Sequence, residues 1–310
     1  MSTVKRERTK QAALARRVWK NADMYVMLIP GLVFLFIFKY MPMWGLQIAF
    51  EDFNIFKGIG QGEFVGLANF EKLFRSSEFL QVLRNTLIIS GLKIGILFPC
   101  AILVAILLNE ISCSPFKKTA QTLIYLPHFL SWVVVAGLFV SLLSPSGLVN
   151  KTLHLFGIKP INFLTSNAWF RWMIIFTDGW KETGWDAIIF IAAIAGISQD
   201  MYESAMIDGA GRIRRIISIT IPSIMPTIVL MFTLRIGKLL EAGTEQILAM
   251  YNPVVYDTVD VIGTFVYRKG LGKMDYSFST AVDLFNSIIG FTLVLISNRV
   301  SRRLTDSSIW

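Results

Sequence analysis

The stretch YESAMIDGAGRIRRIISITIPSIMP, residues 202–226, lies between two long apolar segments of a chain that is otherwise very hydrophobic. It begins with acidic residues, continues through glycines and three arginines, and ends in an Ile/Ser/Thr-rich run with two prolines. The role of this polar segment depends on whether the apolar segments that flank it lie in a soluble domain or span a membrane.

The composition indicates a membrane protein. Of the 310 residues, 54% are hydrophobic and only 16% are charged, and the mean hydropathy is +0.57. The apolar residues form blocks long enough to cross a hydrocarbon core of about 30 Å, which takes about 20 helical residues. Only helices and closed barrels satisfy their backbone hydrogen bonds in lipid, and the sequence lacks the segments of about ten alternating residues that a barrel needs. The predicted fold is therefore all-α and polytopic.

Six transmembrane helices are predicted, with a short cytoplasmic helix between spans four and five. A basic tail at 1–23 precedes a transmembrane domain at 24–310, whose spans lie at about 24–48, 83–109, 121–143, 169–197, 223–242 and 278–299. The first apolar run has no small-residue cleavage site after it, so we interpret it as an uncleaved anchor rather than a signal peptide.

Lysine and arginine residues predict the orientation of the chain. With six spans, the basic segments 5–20, 117–118, 212–215 and 299–303 fall on one side, and the other side has sparser positive charge. The positive-inside rule places the first side, with both termini, in the cytoplasm. The net charge of +9 then reflects topology and contact with anionic membrane lipid, and it requires no nucleic acid partner.

Residue patterns for catalysis or metal binding are scarce in the sequence. Cys100 lies in a predicted span and Cys113 in a loop, which does not suggest a disulfide or a metal site, and His128 and His154 stand alone. Neither the G-x-x-x-x-G-K-[ST] phosphate loop nor the G-x-S-x-G nucleophile motif occurs. The sequence therefore predicts a chain that is not an enzyme and holds no metal or cofactor, so that any ATP would be bound by another chain.

The segment 198–222 reads as a cytoplasmic helix–turn–helix between spans four and five. Ser198 is a candidate N-cap for the first helix, and Gly209 and Gly211 allow a sharp turn. The run RIRRIISIT begins a second helix, which Pro222 and Pro226 lead toward the fifth span. A basic amphipathic loop that only contacts lipid headgroups remains the alternative on these residues alone.

This segment resembles the EAA loop of permease subunits in binding-protein-dependent ABC importers. That pattern is Glu-Ala-Ala, three residues, Gly, nine residues and then Ile-x-Leu-Pro. Here Glu-Ser-Ala stands at 203–205, Gly at 209 and Ile-Thr-Ile-Pro at 219–222, with matching spacing throughout. Ser204 and Ile221 depart from the pattern by small changes in size.

The resemblance extends over roughly residues 20–310. The runs FVGLANFEKLF at 64–74 and LRNTLIIS at 83–90 are similar to sugar permeases of the maltose-transporter type. The run YNPVVYDTVDVIGTFVYRKGL at 251–271 and the ending DSSIW resemble a narrower group, the LplB/YteP-like permeases of mainly Gram-positive bacteria, which are linked to complex oligosaccharides.

The resemblance implies a subunit of a type I ABC importer in the bacterial plasma membrane. A second homologous permease would complete the path, two ATPase subunits would bind ATP and Mg, and an extracellular lipoprotein would deliver an oligosaccharide. In the loop, Glu203 would pair with a basic residue of the ATPase, Ala205 would allow close seating, and Gly209 would make the turn. The ATPase-coupling residues implied in this way are Glu203, Ser204, Ala205, Asp208, Gly209 and Arg212.

Other classes of membrane protein fit the sequence less well. A secondary transporter or channel often shows internal repeats with broken spans in matching positions, and no convincing repeat is seen. A membrane-embedded enzyme would need clustered His, Asp or Cys residues, which the sequence does not place together. An ABC permease for another polar solute stays open as an alternative.

Charged and aromatic residues inside three spans predict the substrate path, since such charges face a cavity or a partner. The candidates are Trp180, Lys181, Glu182 and Trp185 in span four, Arg235 and Lys238 in span five, and Asp283 and Asn286 in span six. Tryptophan rings suit sugar faces, and the two cations of span five suit an acidic substrate such as a uronate-containing oligosaccharide.

Structural roles compete with each of these assignments. Lys181 could pair permanently with a neighbouring acid, and tryptophans are common at the membrane interface. The polar residues of span six could hold helices together. Arg235 and Lys238 could be neutralised by Glu241, Glu245 or the acids of span four.

Overall fold

The computed structural model describes residues 20–305, and its contacts divide the chain into a unit up to Gly66 and a unit from Leu67 onward. The first unit begins with helix α1 (Ala22–Leu35), which runs on through a π-helical segment (Phe36–Tyr40) and a 3-10 segment (Met41–Phe50). Two short strands follow, β1 (Glu51–Asp52) and β2 (Glu63–Phe64), paired antiparallel. Of the predicted basic tail at 1–23, residues 1–19 lie outside the described residues, as does the ending at 306–310.

In the part of the second unit that the structure describes, all regular secondary structure is helical. Its helices are α2 (Ala68–Arg75), α3 (Ser77–Leu92), α4 (Phe98–Glu110), α5 (Ser114–Tyr125), α6 (Trp132–Leu143), α7 (Leu148–Leu155), α8 (Asn167–Ala195), α9 (Gln199–Ile207), α10 (Arg212–Arg215), α11 (Ile221–Gly237), α12 (Thr244–Met250), α13 (Tyr256–Val259), α14 (Ile262–Lys273) and α15 (Tyr276–Thr305). Short π-helical segments join α3 to α4 (Lys93–Leu97) and α10 to α11 (Ile216–Thr220).

Within residues 20–305, five helical stretches are long and apolar enough to cross a membrane: Ala22–Phe50, Ser77–Glu110, Trp132–Leu155, Arg212–Gly237 and Tyr276–Val300. The all-α membrane fold is therefore confirmed. The remaining predicted span, 169–197, corresponds to α8, which has 29 residues and so a length of about 43 Å. Because α8 carries several charged residues, its composition differs from that of the other five, and the count of six stays compatible with the structure.

The helix expected at 121–143 is interrupted in the structure. Helix α5 ends at Tyr125, a 3-10 turn covers Leu126–Phe129, and Leu130 is extended before α6 begins. Pro127 lacks an N–H donor and disfavours a continuing helix, and the Ser131 hydroxyl accepts a hydrogen bond from Val134 N at 3.3 Å and caps the new helix. The helix expected at 223–242 likewise ends early, at Gly237.

Helix α8 is the central element of the second unit. Ile174 packs in one buried apolar cluster with Val135 of α6 and Ile247 of α12, and Phe190 packs in another with Ala101 of α4. At Gly184 an added Cβ would lie 2.3 Å from the carbonyl oxygen of Ile124, so α5 approaches α8 closely at this point. The charged residues of α8 are therefore carried through the middle of the helical bundle.

Candidate functional sites

The first candidate site is the coupling segment, defined as Ser198–Pro222. Its helix α9 begins at the predicted N-cap, where the Ser198 hydroxyl accepts a hydrogen bond from Asp200 N at 3.3 Å. It ends in a Schellman motif, in which Ala210 N donates to Ala205 O at 2.8 Å and Gly209 N donates to Met206 O at 3.0 Å. This motif requires a left-handed residue, and Gly209 has φ +76°.

The predicted ATPase-coupling residues lie together on this helix and its turn. Glu203, Ser204, Asp208, Gly209 and Arg212 are exposed, and Ala205 is half-buried. Beside them are exposed apolar side chains, namely Met201, Met206, Ile207 and Ile213, of which Ile207 is 87% exposed. A cluster of exposed apolar side chains with polar residues around it is typical of a surface that binds another protein or the membrane.

The coupling segment is attached to two long helices. Only Gly196–Ser198 separate α8 from α9, so the end of α8 leads directly into the coupling helix. The Tyr202 hydroxyl lies 2.9 Å from the Thr220 hydroxyl, and the buried Thr220 belongs to the π-helical segment that continues into α11. A displacement of α9 would therefore act on α8 and α11 together.

The Schellman turn gives a prediction for Gly209. Gly209→Val places a β-branched residue in the left-handed region at a cost of about 1–2 kcal/mol, although no atom lies within 4 Å of its Cβ position. We expect the turn to open and the maximal transport rate to fall several-fold, while detergent-solubilised protein remains folded. Gly211→Val is the matched control, because Gly211 has φ −68° and equally open surroundings. Equal transport by both variants would contradict a role for this turn.

The second candidate site is a charged cavity of about 670 Å³ in the second unit. It lies between the π-helical segment after α3, the middle of α8, the end of α11 and the turn before α12. The charged side chains that line it are Lys93, Asp178, Glu182, Asp186, Arg235, Lys238 and Glu241. Charged groups within a membrane span are costly and face a cavity or a partner, and here they converge from all four of these elements.

Helix α8 presents a stripe of acids to the cavity, because Asp178, Glu182 and Asp186 follow each other at four-residue spacing. Asp178 lies 3.3 Å from the Lys93 ammonium, and Asp186 forms an ion pair with Arg235. Glu182 instead contacts its neighbour in α8 and the 3-10 turn at 126–129. One of its oxygens lies 2.7 Å from Lys181 Nζ, and the other lies 2.6 Å from His128 Nδ1.

The structure brings together Glu182, Arg235 and Lys238 of the predicted path. Arg235 is paired with Asp186 of α8, which is one of the span-four acids that the sequence analysis named as a possible partner. The exposed Lys238 side chain has no ion-pair partner within residues 20–305. The sequence predicts that Arg235 and Lys238 lie on one face of the same helix. In the structure α11 ends at Gly237, and Lys238 is its C-cap residue.

The other span-four candidates do not line the charged cavity. Lys181 is buried, donates to the backbone oxygen of His128 at 2.8 Å and lies over the Trp132 ring. Trp185 stacks on the His128 ring with centroids 4.2 Å apart and an interplanar angle of 3°. Trp180 packs edge-on against Phe139 and lines a separate apolar cavity of about 700 Å³. Lys181 and Trp185 therefore hold α8 against the interrupted segment at 126–131, and Trp180 holds it against α6.

The span-six candidates are separated from each other. Asn286 lines a smaller cavity of about 230 Å³ between α11 and α15, next to Glu241. Asp283 is exposed and lines neither this cavity nor the charged one. Asn286 therefore shares a cavity with Glu241, which also lines the charged cavity, and Asp283 lines neither of the two.

Lys93 was not identified from the sequence as a path residue. It stands inside the apolar run LIISGLKIGILF, and a lone lysine in a predicted span is itself a signal of a functional position. Gln246 was missed as well, because a glutamine after the predicted end of span five carries no such signal. Lys93 could therefore have been found from the sequence, whereas the role of Gln246 depends on how the helices pack.

The sequence matches a family model described as "Binding-protein-dependent transport system inner membrane component" over residues 97–306. This range contains α8 and the whole coupling segment. The chain is also 41% identical over 305 residues to the polygalacturonan/rhamnogalacturonan transport system permease protein YteP of Bacillus subtilis (strain 168). The matched region covers 98% of this chain and 95% of that protein.

Two crystal structures contain a similar chain. One is of a bacterial ABC transporter involved in the import of the acidic polysaccharide alginate, with 42% identity, a TM-score of 0.87 and coverage of 94% of this chain and 99% of that chain. The other is of the bacterial alginate ABC transporter in complex with an alginate pentasaccharide-bound periplasmic protein, with 41% identity, a TM-score of 0.88 and coverage of 95% and 99%.

Proposed function

The chain belongs to the family of binding-protein-dependent transport system inner membrane components, and from this premise we propose that it forms, with a second homologous permease, the path for an acidic oligosaccharide. At the coarser level it is a permease of an ABC importer for sugars or polysaccharides in the bacterial plasma membrane, of the type I, LplB/YteP-like group, and it is not an enzyme. The transmembrane domain at 24–310, with both termini in the cytoplasm, is part of the proposal.

The acidic substrate rests on one observation, the convergence of Lys93, Arg235 and Lys238 on one cavity. Acids of α8 pair with the first two of these cations, and Lys238 has no ion-pair partner among the described residues. A neutral sugar could be recognised by hydroxyl, amide and aromatic groups alone, without the cost of placing cations in the bundle. Cations that can reach a ligand recognise carboxylates by charge-assisted hydrogen bonds. The names of the similar proteins, which refer to polygalacturonan and to acidic alginate, support this assignment.

The partners follow from the coupling segment and from the family. Two ATPase subunits would bind ATP and Mg and dock on α9, where Glu203 would pair with a basic residue and Ala205 would allow close contact. An extracellular binding protein, predicted to be a lipoprotein, would deliver the oligosaccharide. The similar transporter was crystallised with a sugar-loaded periplasmic protein, which supports a partner of this kind. No cofactor is assigned to this chain.

The test compares an acidic sugar with its neutral counterpart of equal length. The complex, purified through a tag on this chain and reconstituted with its binding protein, is expected to hydrolyse ATP faster with an oligogalacturonate tetramer than with the carboxyl-reduced tetramer. Arg235→Gln and Lys238→Gln should each lower this preference about tenfold, the value of one charge-assisted contact. The binding protein is the same in all samples, so a changed preference belongs to this chain.

The chain alone, without ATPase subunits, is expected to show no ATP-driven uptake in proteoliposomes. If the neutral tetramer stimulates the wild-type complex equally and both glutamine variants ignore ligand charge, the acidic substrate is refuted while the importer assignment stands. Uptake driven by ATP in the chain alone would refute the need for partner ATPases.

A further inference from the structure

Lys93 occupies a constrained position at the wall of the charged cavity. Its side chain is 9% exposed and belongs to the π-helical segment that joins α3 to α4. Segments of this kind appear often at functional sites, since the extra residue reorients a side chain. The ammonium lies 2.7 Å from the Gln246 side-chain oxygen and 3.3 Å from Asp178. It therefore connects α12 and α8 at one point.

The Gln246 contact fixes where the Lys93 ammonium lies. Gln246 is fully buried, and its amide nitrogen donates to Ile174 O and to the Thr177 hydroxyl, each at 2.7 Å. With both amide hydrogens used, the Gln246 oxygen must point toward Lys93. An ammonium has three donors, so Lys93 keeps a fixed contact to Gln246 and an exchangeable one to Asp178 at the cavity.

The two ion pairs across the cavity share a common design. In each, an acid of α8 neutralises a cation from another element, Asp178 with Lys93 and Asp186 with Arg235. A carboxylate of a bound sugar acid is chemically equivalent to these aspartates as an acceptor. It could therefore take the place of an aspartate without leaving the buried cation unpaired, which would be costly. The displaced Asp178 carboxylate lines the cavity and is less buried than Lys93, so it is the group of the pair that can lose its partner at the lower cost.

We propose that Lys93 is a specificity-determining residue of the path and that a substrate carboxylate replaces Asp178 as the partner of its ammonium. The inference rests on the proposed acidic substrate and adds the residue and the exchange to it. In the absence of substrate, Asp178 holds the site in a neutralised state and competes with the ligand. A sugar without a carboxylate cannot make the exchange, so charge is recognised at this point.

The exchange has a consequence for α8. When a ligand binds Lys93, the contact that ties Asp178 to the π-helical segment is released. Helix α8 continues for about 26 Å from Asp178 to its end at Ala195, at 1.5 Å per residue, and then leads into the coupling helix. Binding of an acid in the cavity is thus connected to the ATPase docking surface on α9 through α8 and the three residues that join the two helices.

The experiment uses variants with opposite expected signs in the reconstituted complex. The measured quantity is the half-saturating concentration of an oligogalacturonate tetramer and of its carboxyl-reduced counterpart in stimulated ATP hydrolysis. Asp178→Asn removes the competitor, and the acidic tetramer should then act at a concentration several-fold lower than in wild type. Lys93→Gln should raise that concentration about tenfold and leave the neutral tetramer unchanged, and Lys93→Arg should retain the acidic preference.

A double variant guards against failure to fold. Lys93→Gln with Asp178→Asn leaves neither a buried unpaired ammonium nor a buried unpaired carboxylate, so it should fold and show a lower acidic preference than wild type, with only Arg235 and Lys238 left to contact the carboxylates. Glu245→Gln and Lys151→Met are the matched charge controls, since both residues are exposed and line no part of the cavity; they should leave both concentrations unchanged.

The outcomes separate this inference from the proposed function. If wild type prefers the acidic tetramer and the double variant keeps that preference undiminished, Lys93 has only a structural role and the inference is overturned. The same conclusion follows if Asp178→Asn and Lys93→Gln shift the acidic response in the same direction. If wild type does not distinguish the two tetramers, the acidic substrate itself is wrong, and the exchange fails with it.

Discussion

Glu203→Lys is expected to abolish ATP-driven uptake and to release the ATPase subunits during purification. Glu203 is exposed on α9 and has no ion-pair partner among residues 20–305, so its replacement leaves the interior of this chain intact. At an interface, the loss of one member of a partly buried charge pair costs about 2–5 kcal/mol, and a reversed charge adds repulsion. Even the lower value corresponds to a decrease of about 30-fold in affinity.

The measurement is the amount of ATPase that co-purifies with the tagged chain, together with uptake by the reconstituted complex. Glu63→Lys is the control, because it reverses an exposed acid of strand β2 outside the coupling segment; it should retain the ATPase fully. Full retention and normal uptake with Glu203→Lys would show that the docking surface lies elsewhere on the chain.

Gly184→Ala is expected to destabilise the helical bundle by about 3 kcal/mol, the upper end for overpacking. The added methyl group would lie 2.3 Å from the Ile124 carbonyl oxygen, a backbone atom that cannot turn aside as a flexible side chain can. Gly137→Ala in α6 is the matched control, with no atom within 4 Å. It should stabilise its helix by about 1 kcal/mol, since alanine is the better helix former.

Thermal unfolding of the detergent-solubilised chain distinguishes the two variants by the sign of the change in the unfolding midpoint. A lower midpoint for Gly184→Ala and an equal or higher one for Gly137→Ala is the expected result. Equal midpoints would mean that α5 and α8 can separate at this contact without loss of stability, which would contradict the close approach seen here.

The sequence predicts those features that depend on residues close together in the chain. Apolar blocks predict the spans, and the spacing of the EAA-like pattern predicts the helix α9, its cap at Ser198 and its turn at Gly209. The interruption at 126–131 was missed, because apolar residues continue through it and Pro127 is its one strong marker. That segment covers the face of α8 that carries Lys181 and Trp185. The contacts of these two residues could therefore not be predicted from the sequence.

The charged cavity depends on contacts between residues far apart in the chain. Arg235 pairs with Asp186, and Lys93 contacts Gln246 of α12 across 153 positions. The sequence indicates that buried charges need partners, but which acid neutralises which cation is decided by how α8, α11 and the π-helical segment pack. Local patterns therefore identify the charged residues and leave their pairing open.

The π-helical segment Lys93–Leu97 gives this span one place where its length can change by a residue. A π-helical turn holds one residue more than an α-helical turn, so deleting a residue here would restore a regular α-helical turn and keep α4 facing α8. The same deletion at Ile102, within α4, would rotate every later residue by about 100° around the helix axis and move Ala105 away from α8. A one-residue deletion is thus expected to be tolerated by the packing of the span at the segment that carries Lys93, and to be excluded a turn further along.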